Sequence, residues 1–234
     1  MSLYDSIAEI YDPWSRSVVE DIELYVEEAL ASGGPVVELA VGTGRIAVRI
    51  AEAGIDVIGV DQSTGMLAVA REFAEGRGVG ERVDLRLGDL RTPPVPERVP
   101  LVICPFRTLL HMVDESDKLT ALEAARSLLQ PRGCFIFDVF APSRADIEET
   151  DGRWLEREPG IFERADWDEQ ARRLTLSVRS GEAAASMALH WLGSAEWLAL
   201  VDQAGLDLEQ LYGWFDRRPF EGGEDMIFLC RRRD

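Results

Sequence analysis

Glu38, Gly42, Gly44, Asp61 and Asp89 are the residues whose types and spacing could do chemistry together. Glu38 is the one charge in an apolar run, Val36 to Ala40, that leads into Gly42-Thr43-Gly44. Two glycines reach backbone angles closed to other residues and let a ligand approach the main chain. A helix expected from Arg45 aims its first amides at that place, which suits a pyrophosphate or an amino-acid carboxylate. Gly42, Gly44 and Ala47 also fit the dinucleotide pattern G-x-G-x-x-A. Glu38 separates the two ligands: a carboxylate repels a pyrophosphate but helps to hold an ammonium or a sulfonium. Asp61 ends the next apolar run, in "DVIGVDQS". It can accept from the ribose hydroxyls of either kind of cofactor, or cap the helix that follows. Asp89 and Leu90, in "LRLGDLRTPP", suit an adenine amino group and ring, or form a solvated turn.

The elements that must position these residues follow from hydrophobic periodicity. Val18, Ile22, Tyr25, Val26 and Ala29 recur at helical spacing, so a helix is expected from Ser17 to Ala31, ended by Gly33-Gly34-Pro35. Strands are expected at Val36 to Ala40, Val57 to Asp61, Val83 to Leu87, Leu101 to Cys104 and Cys134 to Phe140. Helices are expected at Arg45 to Ala53, from a Ser63 cap to about Ala74, and from Asp117 to Leu129. Such alternation implies right-handed crossovers and a parallel sheet. After Ala141 the rhythm changes to short strands at Ile161 to Trp167, Leu174 to Arg179 and Ala184 to Trp191, an antiparallel insertion. A Ser194-capped helix and two strands, Leu208 to Phe215 and Met226 to Cys230, close the chain. Their short connection requires antiparallel pairing.

Taken together, "VVELAVGTG", "VIGVDQSTGML", "LRLGDLR", "VICPFRTLLHM" and "LLQPRGCFIFDVF" resemble, in order, the motifs of the class I S-adenosylmethionine-dependent methyltransferases of small-molecule type. The resemblance covers about residues 1–140 and the final strand pair. It implies an α/β fold: a Rossmann-like, mostly parallel sheet with an antiparallel C-terminal strand pair, plus a small antiparallel β insertion. It also implies S-adenosyl-L-methionine as cofactor and methyl transfer to a nitrogen or oxygen of a small-molecule metabolite. Residue by residue, Glu38, Ala40 and the backbone of Gly42 and Gly44 would hold the methionine part. Asp61 would hold the ribose, and Asp89 with Leu90 the adenine. Gln62, Met66 and Phe106 would complete the cofactor site. Tyr4 and Tyr11 resemble an N-terminal segment that closes over it. Two departures stand out: Ala40, where many members have glycine, and Glu38 in place of the commoner aspartate.

The acceptor is expected at the strand edge where α/β sheets place ligands. His111 is either a general base or a histidine bonded to backbone. Arg107 contacts an acidic acceptor group or forms a surface salt bridge. Trp154 and Trp191 are candidates for a lid built from the insertion, and His190 for the pocket mouth. The whole chain, residues 1–234, is expected to be one domain. Residues 1–32 would form an N-terminal helical cap and residues 141–193 the insertion or acceptor lid.

Composition narrows the partners. A net charge of −18 disfavours nucleic acid, which needs a basic face. The basic end "RRRD" reads as a solvated tail. Cys104, Cys134 and Cys230 lie in apolar runs outside any C-x-x-C pair, so buried reduced thiols and no metal are expected. No secretory signal or bilayer-spanning run is read, so a cytoplasmic monomer or homodimer without membrane contact is expected. The rival readings are a nicotinamide-dependent oxidoreductase and a non-catalytic S-adenosylmethionine-binding protein.

Overall fold

The computed structural model describes Tyr11, Trp14 and residues 19–233. Apolar segments flanked by glycine and aspartate become the strands β1 (Val36–Leu39), β2 (Val57–Asp61), β3 (Val83–Leu87), β4 (Val99–Cys104) and β5 (Leu129–Phe140). The helices between them are α1 (Ile22–Ser32) before β1, α2 (Ala47–Glu52), α3 (Thr64–Gly76) and α4 (Glu115–Leu128). Strands β1 to β5 pair in parallel. Two further strands, β10 (Leu206–Tyr212) and β11 (Asp225–Arg232), follow α6 (Ser194–Gln203). The seven-stranded order is β10-β11-β5-β4-β1-β2-β3, with β11 antiparallel to both neighbours. Both faces of the sheet are covered. Leu24, Tyr25 and Ala29 of α1 pack with α2 and α3 on one face; Leu122 of α4 and Trp197 of α6 pack on the other. Two-sided burial explains why the central strands are continuous apolar runs.

Residues 144–190 add α5 (Arg144–Thr150) and a separate antiparallel sheet, β6 (Trp154–Glu158), β7 (Ile161–Asp168), β8 (Arg173–Ser180) and β9 (Ala183–His190), in that order. The last three strands match the sequence reading. Helix α5 and strand β6 do not appear in it, because β6 is a mostly exposed edge with charged residues and no apolar alternation.

Several boundaries differ for physical reasons. The first helix starts at Ile22, not Ser17: Asp21, its N-cap, is turned to Arg45, and Ser17 and Val18 lie outside the described residues. The glycine-loop helix starts at Ala47, not Arg45. Strand β5 pairs from Leu129, not Cys134: Val99 faces Leu129 and Leu101 faces Cys134, so Gln130 to Gly133 bulge out, with Arg132 at φ 63°. Ser194 is the first residue of α6, not its cap; Glu196 reaches back to accept from the Gly193 N–H at 2.9 Å. The basic end is no solvated tail. Arg231 pairs with Glu209, Arg233 with Asp202 and Asp207, and Arg232 donates to the Leu129 carbonyl, which ties β11 to its surroundings. All three cysteines are buried and free, as expected.

Phe137 of β5 is central to this packing, stacked on Phe228 at 4.7 Å and close to Phe135 and Trp197. Phe137→Ala should cost about 3–5 kcal/mol of stability. Leu208→Ala, on an edge strand and 40% exposed, should stay within about 0.5 kcal/mol. Urea unfolding of both variants checks the contrast.

Candidate functional site

The site is built on a carboxylate kept from water. Glu38 projects from a strand whose four residues are all buried. One of its oxygens accepts from the backbone N–H of Ala47, the first residue of α2, while Oε2 is buried with no hydrogen-bond partner among the described residues. Burial raises its pKa to about 8, against the pull of the nearby Arg45 charge. The amide that sequence reasoning left for a ligand is therefore used by Glu38. Arg45 itself is clamped by Asp21, at 2.7 and 2.6 Å, and lies 5.0 Å over the Phe106 ring.

The glycine loop crosses the sheet edge between β1 and β2. Gly42 donates to Asp61 Oδ2 at 2.9 Å, and Ser63 N–H donates to Asp61 Oδ1 at 2.8 Å. Asp61 thus staples the loop to the end of β2, while the helix cap is Ser63, whose Oγ accepts from Met66 N–H. Gly44 serves packing: a Cβ there would press on Ala70 at 3.3 Å. Gly59, which sequence reading passed over, lets the loop lie down, since a Cβ would meet Val41 at 2.8 Å. Ala40 adopts φ 57°, a left-handed angle that costs an alanine about 1 kcal/mol.

A second buried acid, Asp138 on β5, fixes the loop after β4. It accepts from Tyr25 Oη at 2.6 Å, Phe106 N–H at 2.8 Å and Arg107 N–H at 2.9 Å. Phe106 and Arg107 both have φ near 60°, and the three donors hold that unusual pair in place. Burial raises the Asp138 pKa to about 6. Its signal in the sequence is a lone acid within "CFIFDVF".

Above these loops lies a cavity of about 620 Å³. Tyr11, Ala40, Gly42, Asp61, Gln62 and Met66 line it, as do Asp89, Leu90 and Phe106. His111 lines the opposite wall with Met112, Val113 and Asp114, and Ser186, Met187 and Ala188 of β9 reach it from the second sheet. Burial, then the charge of Lys118, lowers the His111 pKa to about 4. Asp89 is engaged by Arg91, which also pairs with Asp117.

Other expected site residues lie elsewhere. Glu38 and Gly44 stand behind the wall rather than on it. Arg107 pairs with Asp225 at 2.9 Å and covers the Phe140 ring, outside the cavity. Trp154 sits on the edge strand under Arg179, 4.2 Å away. Trp191 is buried against Trp167 in the main core. His190 is off the wall, and Tyr4 lies outside the described residues. The insertion meets the cavity through a methionine and two small residues, not through its large rings.

A methyltransferase-domain family model matches residues 36–133. The CcbJ methyltransferase of Streptomyces caelestis is 27% identical, aligns over 100% of this chain and 99% of its own, and superposes with a TM-score of 0.88. The chain carries a methyltransferase domain with the class I fold, for which the sequence motifs imply S-adenosyl-L-methionine as cofactor. A glycine/sarcosine N-methyltransferase of Halorhodospira halochloris is 30% identical over 128 residues, 53% of this chain and 47% of that protein. The chain spans about half the length of the curated relatives it matches. An amino pentose methyltransferase of Micromonospora echinaspora shares the fold, with 19% identity, a TM-score of 0.64 and coverage of 99% and 97%.

The methyltransferase domain suits that cofactor on its own geometry. A buried carboxylate oxygen lacking a donor, two residues before Ala40 on the wall, suits a ligand that carries an ammonium.

The Glu38 carboxyl stays neutral in the folded chain up to about pH 8 but ionises above about 4.5 when unfolded. Its contribution to stability is full below the lower value and is lost as pH rises through the upper one. Glu38→Gln should therefore gain stability relative to the wild type between pH 5 and pH 8 in urea unfolding, and should bind S-adenosylhomocysteine at least about tenfold more weakly.

Proposed function

We propose that the chain transfers a methyl group from S-adenosyl-L-methionine to a nitrogen of a small-molecule acceptor. Residues 141–193 would serve as the acceptor lid through β9. The cofactor supplies a methyl carbon on a sulfonium, and the protein contributes alignment and exclusion of water. Glu38 would hold the ammonium end. Asp61, Gln62 and Leu90 would hold the nucleoside. Phe106, fixed by Asp138 and braced by Arg45, would set the floor where the two sides of the cavity meet.

The observation that carries the choice of nitrogen is the state of His111. Among the described residues it is the one imidazole on the cavity wall, and burial with the nearby Lys118 charge lowers its pKa to about 4, which disfavours it as the base for a hydroxyl. A neutral amine needs no such base. Asp117 on the same side of the cavity is paired with Arg91, which leaves Asp114 as the carboxylate there that favours arrival of a cationic amine.

S-adenosylhomocysteine should bind with micromolar affinity, about −8 kcal/mol, and NAD far more weakly. With S-adenosylmethionine present, amines should release S-adenosylhomocysteine while alcohols with the same carbon frame should not. His111→Ala should lower turnover on an amine by less than about tenfold, below the loss typical of a removed general base. Turnover of alcohols, with a neutral-pH limb that vanishes in His111→Ala, would contradict the reading.

A further inference from the structure

The insertion sheet turns one face toward the rest of the chain, and the strand registers define it. Glu163, Ala165 and Trp167 of β7 stand opposite Val178, Leu176 and Leu174 of β8, which stand opposite Ala185, Met187 and Leu189 of β9. Side chains alternate along a strand, so these residues share a face. Its two ends are covered differently. Ala165, Leu174 and Leu189 join the main core. Ile161, Val178 and Met187 form a cluster of their own. Among the described residues, Tyr11 and Trp14 are the ones from outside the insertion that pack on that cluster. Trp14 is also held by a polar contact. Its Nε1 donates to Glu163 Oε2 at 2.9 Å, while Glu163 Oε1 accepts from Arg157. Glu163 is the one charge on its face of β7, and it meets the one donor that an indole has.

Tyr11 carries the contact across to the other side of the cavity. Its ring centre lies 5.8 Å from that of Trp14 and 6.3 Å from that of Phe106, edge-on to both. Phe106 is fixed in turn by Asp138. Tyr11, Phe106 and Met187 all line the cavity, and Trp14 stands behind them. Packed rings therefore join the floor at Phe106 to the wall at Met187, and the ring behind the wall is the one tied to β7. Close-packed neighbours hold their places only while such a ring fills the space.

We propose that Trp14 is a positioning residue for the acceptor wall. It sets where Met187, with Ser186 and Ala188 beside it, stands relative to Phe106, and Glu163 fixes the indole that does so. The proposal rests on β9 being the acceptor side, as above. Trp14 thereby sets the width open to an acceptor without touching it.

The test is methyl nuclear magnetic resonance of the full chain labelled at its five methionines, with the Met187 signal assigned by Met187→Leu. In Trp14→Leu the Met187 signal should shift and narrow, while that of Met226, in the main core, should stay. Glu163→Leu, which removes the oxygen that the indole needs, should shift Met187 in the same direction. Glu163→Gln, which keeps an oxygen there, should leave it near its wild-type position. On an amine acceptor, Trp14→Leu should raise KM at least about fivefold and keep kcat within about twofold, the split expected when binding rather than chemistry is disturbed. S-adenosylhomocysteine affinity should stay within about twofold in every variant; its absence in the wild type would count against the cofactor reading and not against this one. A wild type that methylates no amine would count against the proposed function, and the Met187 signal would still decide this proposal. An unmoved Met187 signal in folded Trp14→Leu and Glu163→Leu would overturn it. So would a moved signal with the acceptor KM unchanged.

Discussion

The burial of Glu38 is the constraint on which the site depends. A carboxylate in the middle of a parallel strand, with one oxygen lacking any donor, is unfavourable for folding and useful only if a cation completes it. Its neighbours are arranged around that need. Ala47 gives it one amide, and Arg45 gives it a positive charge while being tied to Asp21. The result is a neutral carboxyl beneath a glycine loop, behind the cavity wall, which an incoming ammonium can ionise and which offers a pyrophosphate nothing.

Asp138 has the complementary role on β5, across β4 from the strand that carries Glu38. Three donors converge on it, two of them from residues at left-handed backbone angles. Tyr25 brings α1 to the same carboxylate, so the helix before β1 and the loop after β4 are locked together. Arg45 then links that lock to the glycine loop through Phe106. The wall that carries Asp61 and Phe106 is therefore tied together by side-chain and backbone hydrogen bonds. The facing wall is lined by Met112 and Met187, whose unbranched side chains adapt easily to different shapes.

Much of this was legible in the sequence because parallel strands buried on both faces have a plain pattern. Val57 to Asp61 is read to the residue for that reason. Asp61, Asp89 and Leu90 stand where such strands end, and the cavity wall runs through them. What was not legible is pairing across elements. Nothing local says that Asp21 meets Arg45, or that the acid in "CFIFDVF" turns back to Tyr25. The insertion misled for a related reason. Trp154 and Trp191 are large rings, and large rings suggest a lid, yet Trp154 is exposed beneath Arg179 on its edge strand and Trp191 is packed in the main core. The strand that does reach the cavity presents Ser186, Met187 and Ala188, which carry no signal in a sequence.

The most direct measurement of the central claim is the proton count of cofactor-product binding. Calorimetric titration with S-adenosylhomocysteine near pH 7, in two buffers of different ionisation enthalpy, reads it. The account predicts release of close to one proton, as a carboxyl that is neutral up to about pH 8 ionises against the incoming ammonium. The release should vanish in Glu38→Gln. Binding with no proton exchange, the same in both proteins, would contradict the assignment of Glu38 as the group on which the site is built.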